Sequence, residues 1–373
     1  MAPDRSSDDM VWRLLAVAGV FLICLCVLPG AAPLALADPD PPDATKHDDP
    51  PPAKPDGEAA TPDASDAQDA PAPLGEPVSG QLRRHNSVEY TVAGVANRAL
   101  HMDIVLPPEP AATKTDDHTD NGDKQAAPAD GPYPTLLLFH GGSFMAGDPG
   151  VMRDLAERIA RYGFVCASVE YRLVPYQLPD MVNDAKTAVR FLRGNAARYH
   201  VDPLNIGAVG HSAGGSLSLM LAVTGNEPAR EKTGGYREQS SVVQAGISLA
   251  GVSDFGRDVP EQLKQLDQRL PARDFLCGDD GVEKASPARL IQAGDAPLLL
   301  IHGTADNVVP PAQSEMVEAA CKKAGVPCRY VKGEGWGHNF IFRGESRDRT
   351  VEEIVRFLRK HLTFTEDEAE GDF

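Results

Sequence analysis

Uninterrupted apolar stretches alternate with amphipathic ones through most of this 373-residue chain, and few architectures accept that rhythm. PTLLLFH (134–140), FVCASVEY (164–171), NIGAVGH (205–211), VVQAGISLAG (242–251) and PLLLIHG (297–303) read as strands buried on both faces, since a strand with one wet face would alternate apolar and polar residues. Residues 150–162, about 181–200, 212 to about 224, about 311–324 and 350–362 show helical spacing, and CRYVKG (328–333) adds a last strand. SVEYTVAG and ALHMDIVLP, from residue 87 onward, do alternate and suggest antiparallel starting strands. The pattern predicts an α/β fold, a mostly parallel central sheet with helices on both faces, as one domain over residues 86–363. Residues 255–296 interrupt the alternation and are a candidate for a small cap.

The flanking segments have a different composition. Residues 14–28 form an uncharged apolar run of 15 residues after Arg13, broken by Pro29-Gly30. With the small-residue pattern ALA (35–37) before Asp38, residues 1–37 read as a secretory signal peptide; an uncleaved membrane anchor is the alternative, and only then is a membrane a partner. Export, to the periplasm or the medium, is the expected localisation. Residues 38–85, rich in Pro, Ala and Asp, hold too little apolar surface to offset their ordering entropy and are expected to be a disordered acidic linker. Residues 107–132 have a similar bias and are expected as a surface insertion in a hairpin or strand connection, and residues 364–373 as an acidic tail. These segments carry nearly all of the net charge of −18. The acidity therefore describes solvated segments and not a ligand, and the absence of a basic excess argues against nucleic acid as a partner.

Gly210-His211-Ser212-Ala213-Gly214 fits G-x-S-x-G where a buried strand hands over to a helix. A serine on such a tight turn is pushed out of the end of the sheet, and small neighbours let the two backbones approach. A serine hydroxyl is a weak nucleophile and needs a base oriented by a carboxylate. After Ser212 the candidates are Asp306, in HGTADNVVP just past a buried strand, and His338, in the Gly-rich loop GEGWGHNF. Asp254, in GVSDF one strand earlier, competes with Asp306 for the acid role. A developing oxyanion needs donors, and HGGS (140–143) follows another strand at the matching sheet end. The amides of Gly141, Gly142 and Ala213 are the candidates. Asp148, Glu170 and Asp184 are expected to be structural, and His211 to pack or hydrogen-bond beside Ser212.

The segments HGGSFMAGD (140–148), YRLVP (171–175), VDPLNIGAVGHSAGG (201–215), HGTADNVVP (302–310) and GWGH (335–338) together resemble an α/β-hydrolase of the esterase/lipase group, over about residues 87–363. Within it, the chain is similar to bacterial feruloyl- and acetyl-ester hydrolases and to hormone-sensitive-lipase-like carboxylesterases. The resemblance implies a carboxylic ester hydrolase with Ser212 as nucleophile, His338 as base, Asp306 as acid, and Gly141, Gly142 and Ala213 around the oxyanion. Its partner would be a small-molecule or polymer-linked ester. Ser143 stands where many members have a third glycine.

Two other classes share parts of this pattern. A prolyl-oligopeptidase-like serine peptidase has similar motifs but carries a large propeller, which the polar segment before residue 87 cannot form. A non-catalytic binding protein of the same fold commonly lacks one of the three catalytic residues. No H-E-x-x-H, Walker or dinucleotide fingerprint occurs, so no cofactor or metal is expected. Of the cysteines beyond residue 37, Cys166 is expected to be a buried thiol, while Cys321 and Cys328 bracket a helix-to-strand turn and are candidates for a disulfide in an oxidising compartment.

Overall fold

Eight strands form one sheet in the order β1-β2-β4-β3-β5-β6-β7-β8. They are β1 (Arg83–Glu89), β2 (His101–Leu106), β3 (Tyr133–Phe139), β4 (Val165–Val169), β5 (Val201–His211), β6 (Ala245–Leu249), β7 (Leu298–Gly303) and β8 (Cys328–Gly333). The pairs β1–β2 and β2–β4 are antiparallel and every other neighbouring pair is parallel. The computed structural model describes residues 74, 76–91, 98–109, 131–225, 234–256, 276–278 and 281–362. The chain divides into two units, Met1–Asp69 and Ala70–Phe373. The first, with the expected signal segment and most of the expected linker, lies outside the described residues, as does the acidic tail.

The continuous apolar runs are explained by a helix layer on each face. Leu136 and Leu138 of β3 share a cluster with Leu155 and Ile159 of α1 (Arg153–Ala160) and Ile354 and Leu358 of α7 (Gly344–His361). Leu137 and Phe139, one residue out of phase, join Met181, Ala185 and Val189 of α2 (Leu178–Gly194), Leu217 and Leu221 of α3 (Ala213–Thr224) and Val317 of α6 (Ala312–Ala324). Successive side chains of a strand point to opposite faces, so a strand covered twice must be apolar at both parities. Every residue of α3 is buried, because it lies over the middle of the sheet with helices on either side.

The structure moves several expected boundaries. Strand β1 begins at Arg83, ahead of the domain start expected at residue 86. Its residues are mostly exposed on a sheet edge, so they carry little apolar signal. Residues 107–132 join β2 to β3, and β4 lies between these strands, so the segment is a crossing connection and not a hairpin loop; residues 110–130 lie outside the described ones. The helix expected to run to residue 200 stops at Gly194, and a separate turn over Ala196–Tyr199 ends with His200 at φ 54°. The last helix starts at Gly344 instead of residue 350, since its first turns, GESRDR, are polar and hide the period. Within the expected cap, residues 257–275 and 279–280 lie outside the described ones. The remainder holds two short helices, α4 (Gly281–Ala285) and α5 (Pro287–Leu290), with α5 packed against α3 and α6. Cys321 and Cys328 are free thiols with their side chains in hydrogen-bonding contact, not a disulfide. Among the described residues no helix is long and apolar enough to cross a membrane.

Candidate active site

The parallel strands all end on one side of the sheet, and the singled-out residues follow those ends. Ser212 comes directly after β5 and caps α3 with φ 55° and ψ −118°, a backbone conformation that costs a non-glycine residue about 1–3 kcal/mol. The turn is locked from both sides. A Cβ on Gly210 would stand 2.0 Å from the carbonyl oxygen of Gly214, and one on Gly214 would stand 2.1 Å from that of Phe139. The Ser212 N–H donates to the Leu249 carbonyl at 2.9 Å, which ties the turn to β6. These contacts explain why G-x-S-x-G needs both glycines here.

Strand β3 neighbours β5, with Phe139 opposite Gly210, so the HGGS loop emerges beside the serine. A Cβ on Gly141 would meet Ser212 Cβ at 3.2 Å. The loop folds back through N–H groups of Met145 and Ala146 donating to the Gly142 carbonyl, at 2.9 and 3.1 Å. Ser143 has φ 54°, a left-handed backbone at a non-glycine position. His140 anchors the loop. Its Nδ1 donates to the Gly141 carbonyl at 2.7 Å, its ring stacks on Tyr171 with centroids 4.4 Å apart, and the Tyr171 hydroxyl donates to the His140 carbonyl at 2.7 Å. Among the described residues, the N–H groups of Gly141, Gly142 and Ala213 and the Ser212 hydroxyl donate to no protein group. That leaves three N–H donors and one hydroxyl at one sheet end without internal partners.

Asp306 follows β7 and His338 follows β8, and the structure brings these two together. His338 Nδ1 lies 2.7 Å from Asp306 Oδ2. Asp306 Oδ1 accepts the N–H groups of Val308 and Val309 at 2.8 and 2.9 Å. Burial pushes the Asp306 carboxyl up, but hydrogen bonds from His302, His338 and the Val308 N–H outweigh burial and hold it well below the usual carboxylate range. The two loops are also stitched by backbone. Thr304 N–H donates to the Gly333 carbonyl, Ala305 N–H to the Trp336 carbonyl, and Gly335 N–H to the Thr304 hydroxyl. The competing acid, Asp254, is engaged elsewhere: Arg289 Nε donates to it at 2.8 Å.

His211 links the His338 loop to the turn at Ser212. Its Nε2 donates to the His338 carbonyl at 2.9 Å, and the two rings have centroids 4.7 Å apart. Burial, followed by the neighbouring His338, pushes the His211 imidazole down to about 3, so it stays neutral across the physiological range. Among the described residues no hydrogen bond joins the Ser212 hydroxyl to the His338 ring. Catalytic hydrogen bonds of this kind commonly tighten only with substrate.

The other expected residues have structural partners. Asp148 caps the turn at Pro149–Met152 through the Gly150 N–H. Glu170 accepts from Arg98 and from the His101 N–H. Asp184 takes Arg172 of YRLVP in a buried two-pronged pair, Nε to Oδ2 and Nη2 to Oδ1, both 2.8 Å. His302, Thr304, Arg172 and Tyr171 were not singled out by the sequence. Each lies within or beside a motif: Tyr171 and Thr304 have partners 31 residues away and Arg172 has its partner 12 residues on, while His302 bonds near its own segment, to Asp306, Val309 and Ser314. Among the described residues no three His, Cys, Asp or Glu side chains stand close enough to hold a metal ion. A cavity of about 360 Å³, lined in part by Val242, Gln244, Asp295 and His361, lies at the opposite, amino-terminal end of β6 and β7.

Comparison with known proteins gives the family and the architecture. The BD-FAE family model matches residues 125–321, just over half the chain; the stretch holds Ser212 and Asp306 and stops short of His338. The chain is similar to a probable carboxylic ester hydrolase, LipM, of Mycobacterium tuberculosis, with 29% identity over 71% of this chain and 59% of LipM. Esterase LipC of the same organism is 29% identical over 61% of this chain and 59% of LipC. The chain thus spans about three fifths of the length of the curated relatives it matches. Among solved structures, Thermogutta terrifontis esterase 2 phosphonylated by sarin superposes with a TM-score of 0.60 at 29% identity, covering 74% of this chain and 94% of that one. A truncated carbohydrate esterase from gut microbiota gives a TM-score of 0.60 at 25% identity, over 74% and 95%. Both support the α/β-hydrolase architecture.

Proposed function

Since the chain belongs to the BD-FAE family, we propose that it is a serine hydrolase that cleaves carboxylic esters through an acyl-enzyme intermediate. The reading rests above all on the 2.7 Å contact between His338 and Asp306 at the sheet end where Ser212 occupies its strained turn. In the first step the Ser212 hydroxyl attacks the ester carbonyl while His338 Nε2 takes its proton. Asp306 holds the opposite ring nitrogen and so fixes the tautomer that leaves Nε2 free to accept. The oxygen that gains charge is received by N–H groups of Gly141, Gly142 and Ala213, each worth on the order of 10²–10³ in rate. His338 then protonates the departing alcohol, and water, deprotonated by the same ring, releases the acid and restores Ser212. The sarin-phosphonylated structure of a similar esterase and the propionate-bound form of that enzyme favour a small ester as substrate, and a carbohydrate esterase among the similar folds favours an ester on a polymer as the second possibility.

Ser212→Ala is expected to abolish turnover of p-nitrophenyl acetate and labelling by a fluorophosphonate, with an unchanged circular dichroism spectrum. Labelling that persists in this variant refutes the assignment. Export through residues 1–37 belongs to the same proposal, and amino-terminal sequencing of the mature protein, expected to begin at Asp38, tests it.

A further inference from the structure

Two imidazoles share the carboxylate of Asp306. His302 lies in β7, fully buried, four residues before the acid. Its Nε2 is 2.8 Å from the Val309 carbonyl and 3.3 Å from Asp306 Oδ2. Both neighbours are acceptors, so Nε2 carries the hydrogen, and Nδ1 is left to accept the Ser314 hydroxyl at 2.8 Å. Asp306 Oδ2 is also the oxygen that His338 Nδ1 approaches at 2.7 Å. One oxygen therefore faces two ring N–H groups, while Oδ1 is held by two backbone N–H groups. An acceptor that already receives one strong donor binds a second less tightly, and a donor to the charged carboxylate lowers its basicity.

We propose that His302 is a positioning residue for the base: it braces the Asp306 carboxylate from behind and, by sharing Oδ2, limits how tightly that carboxylate holds the proton on His338. Its consequence for catalysis rests on the ester-hydrolase reading above; its geometry does not. The ionisable groups facing His338 are Asp306 and His211. His302 stands behind Asp306. Glu334, in the same loop as His338, receives the Thr304 hydroxyl, and Arg349 lies over the Trp336 ring. With the donor at 302 removed, Asp306 stays oriented by Val308 and Val309 but becomes the stronger partner, and the protonated form of His338 is favoured.

The test follows kcat/KM against pH for an activated ester, together with the His338 Cε1–H resonance against pH, in the full protein. His302→Phe is expected to move the acidic limb and the resonance midpoint upward by roughly half to one pH unit, with KM little changed. His302→Gln, whose amide can still donate, is expected to return most of that shift. Ser314→Ala keeps the ring but frees its tautomer, and is expected to shift both readouts in the same direction by less. Identical profiles in the wild type, His302→Phe and Ser314→Ala overturn the proposal. So does a shift that His302→Gln leaves in place, which would mark lost packing alone. If His302→Phe does not fold, an unchanged profile in Ser314→Ala overturns it. Wild-type protein inert toward esters and fluorophosphonates refutes the ester-hydrolase reading, and the resonance then decides the role of His302 separately.

Discussion

Asp306 is met by two backbone N–H groups and two imidazoles, more support than the orientation of one histidine requires. Its carboxyl titrates lower in the folded protein than in the unfolded chain, where it would titrate near 4. The unfolded state therefore binds the proton more readily, and the stability contributed by the charged form is complete above about pH 4 and is lost as the pH falls toward the depressed folded value. Asp306→Asn is expected to melt below the wild type at pH 7, with the gap narrowing once the pH drops under about 4. Thermal scans between pH 3 and 7 check this, and a gap of constant size would contradict it. The same substitution removes the charge that holds the His338 tautomer, so turnover is expected to fall by about 10⁴-fold. Ser143 shows the opposite situation at this scale. The residue is not a glycine, yet its backbone is left-handed because its neighbours Gly142 and Phe144 are fixed by contacts to Ala146 and Val174.

Between elements, the supports of the site come from connections that no single motif displays. YRLVP was visible as a motif, but the partner of Arg172 is Asp184, two turns into the next helix, and Asp184 reads in the sequence as an ordinary polar residue on a helix face. The pair is buried on both sides and fastens α2 to the segment after β4. That segment in turn holds the HGGS loop, through Val174 N–H to the Phe144 carbonyl at 2.8 Å. Breaking one half leaves a charge inside the protein without its counterion, so Arg172→Met is expected to destabilise by about 3–5 kcal/mol. Arg172→Met with Asp184→Leu is expected to regain most of that loss. Denaturant titrations of the single and double variants decide the matter, and a double variant no better than the single would show that the ion pair is not the cause. Asp306 and His338 were legible because each stands in a recognisable loop after a strand. Their pairing was legible as chemistry and not as geometry: the 2.7 Å approach depends on β7 and β8 being neighbours in register, Gly303 beside Gly333.

Across the whole molecule, the alternation of apolar runs gave the layers and the direction of the central strands, because burial on both faces leaves an unmistakable composition. The order of the strands was less accessible. β4 enters between β2 and β3, a choice made by tertiary packing and invisible to local periodicity, and this is why the sequence left the connection at 107–132 open between a hairpin and another strand connection. Edge elements were the least legible: β1 and the first turns of α7 face water and follow no apolar rhythm. The centre was the most legible, and α3, which Ser212 caps, lies there.

A helix with no solvent face has no way to fray by itself. The amides of α3 can exchange with deuterium only when the layers around them separate, so they are expected among the slowest in the molecule, with protection equal to that of global opening. Loss of ester turnover on heating is then expected to coincide with the calorimetric transition instead of preceding it. What looks like catalytic durability would simply be the cooperativity of the fold, read out at one hydroxyl.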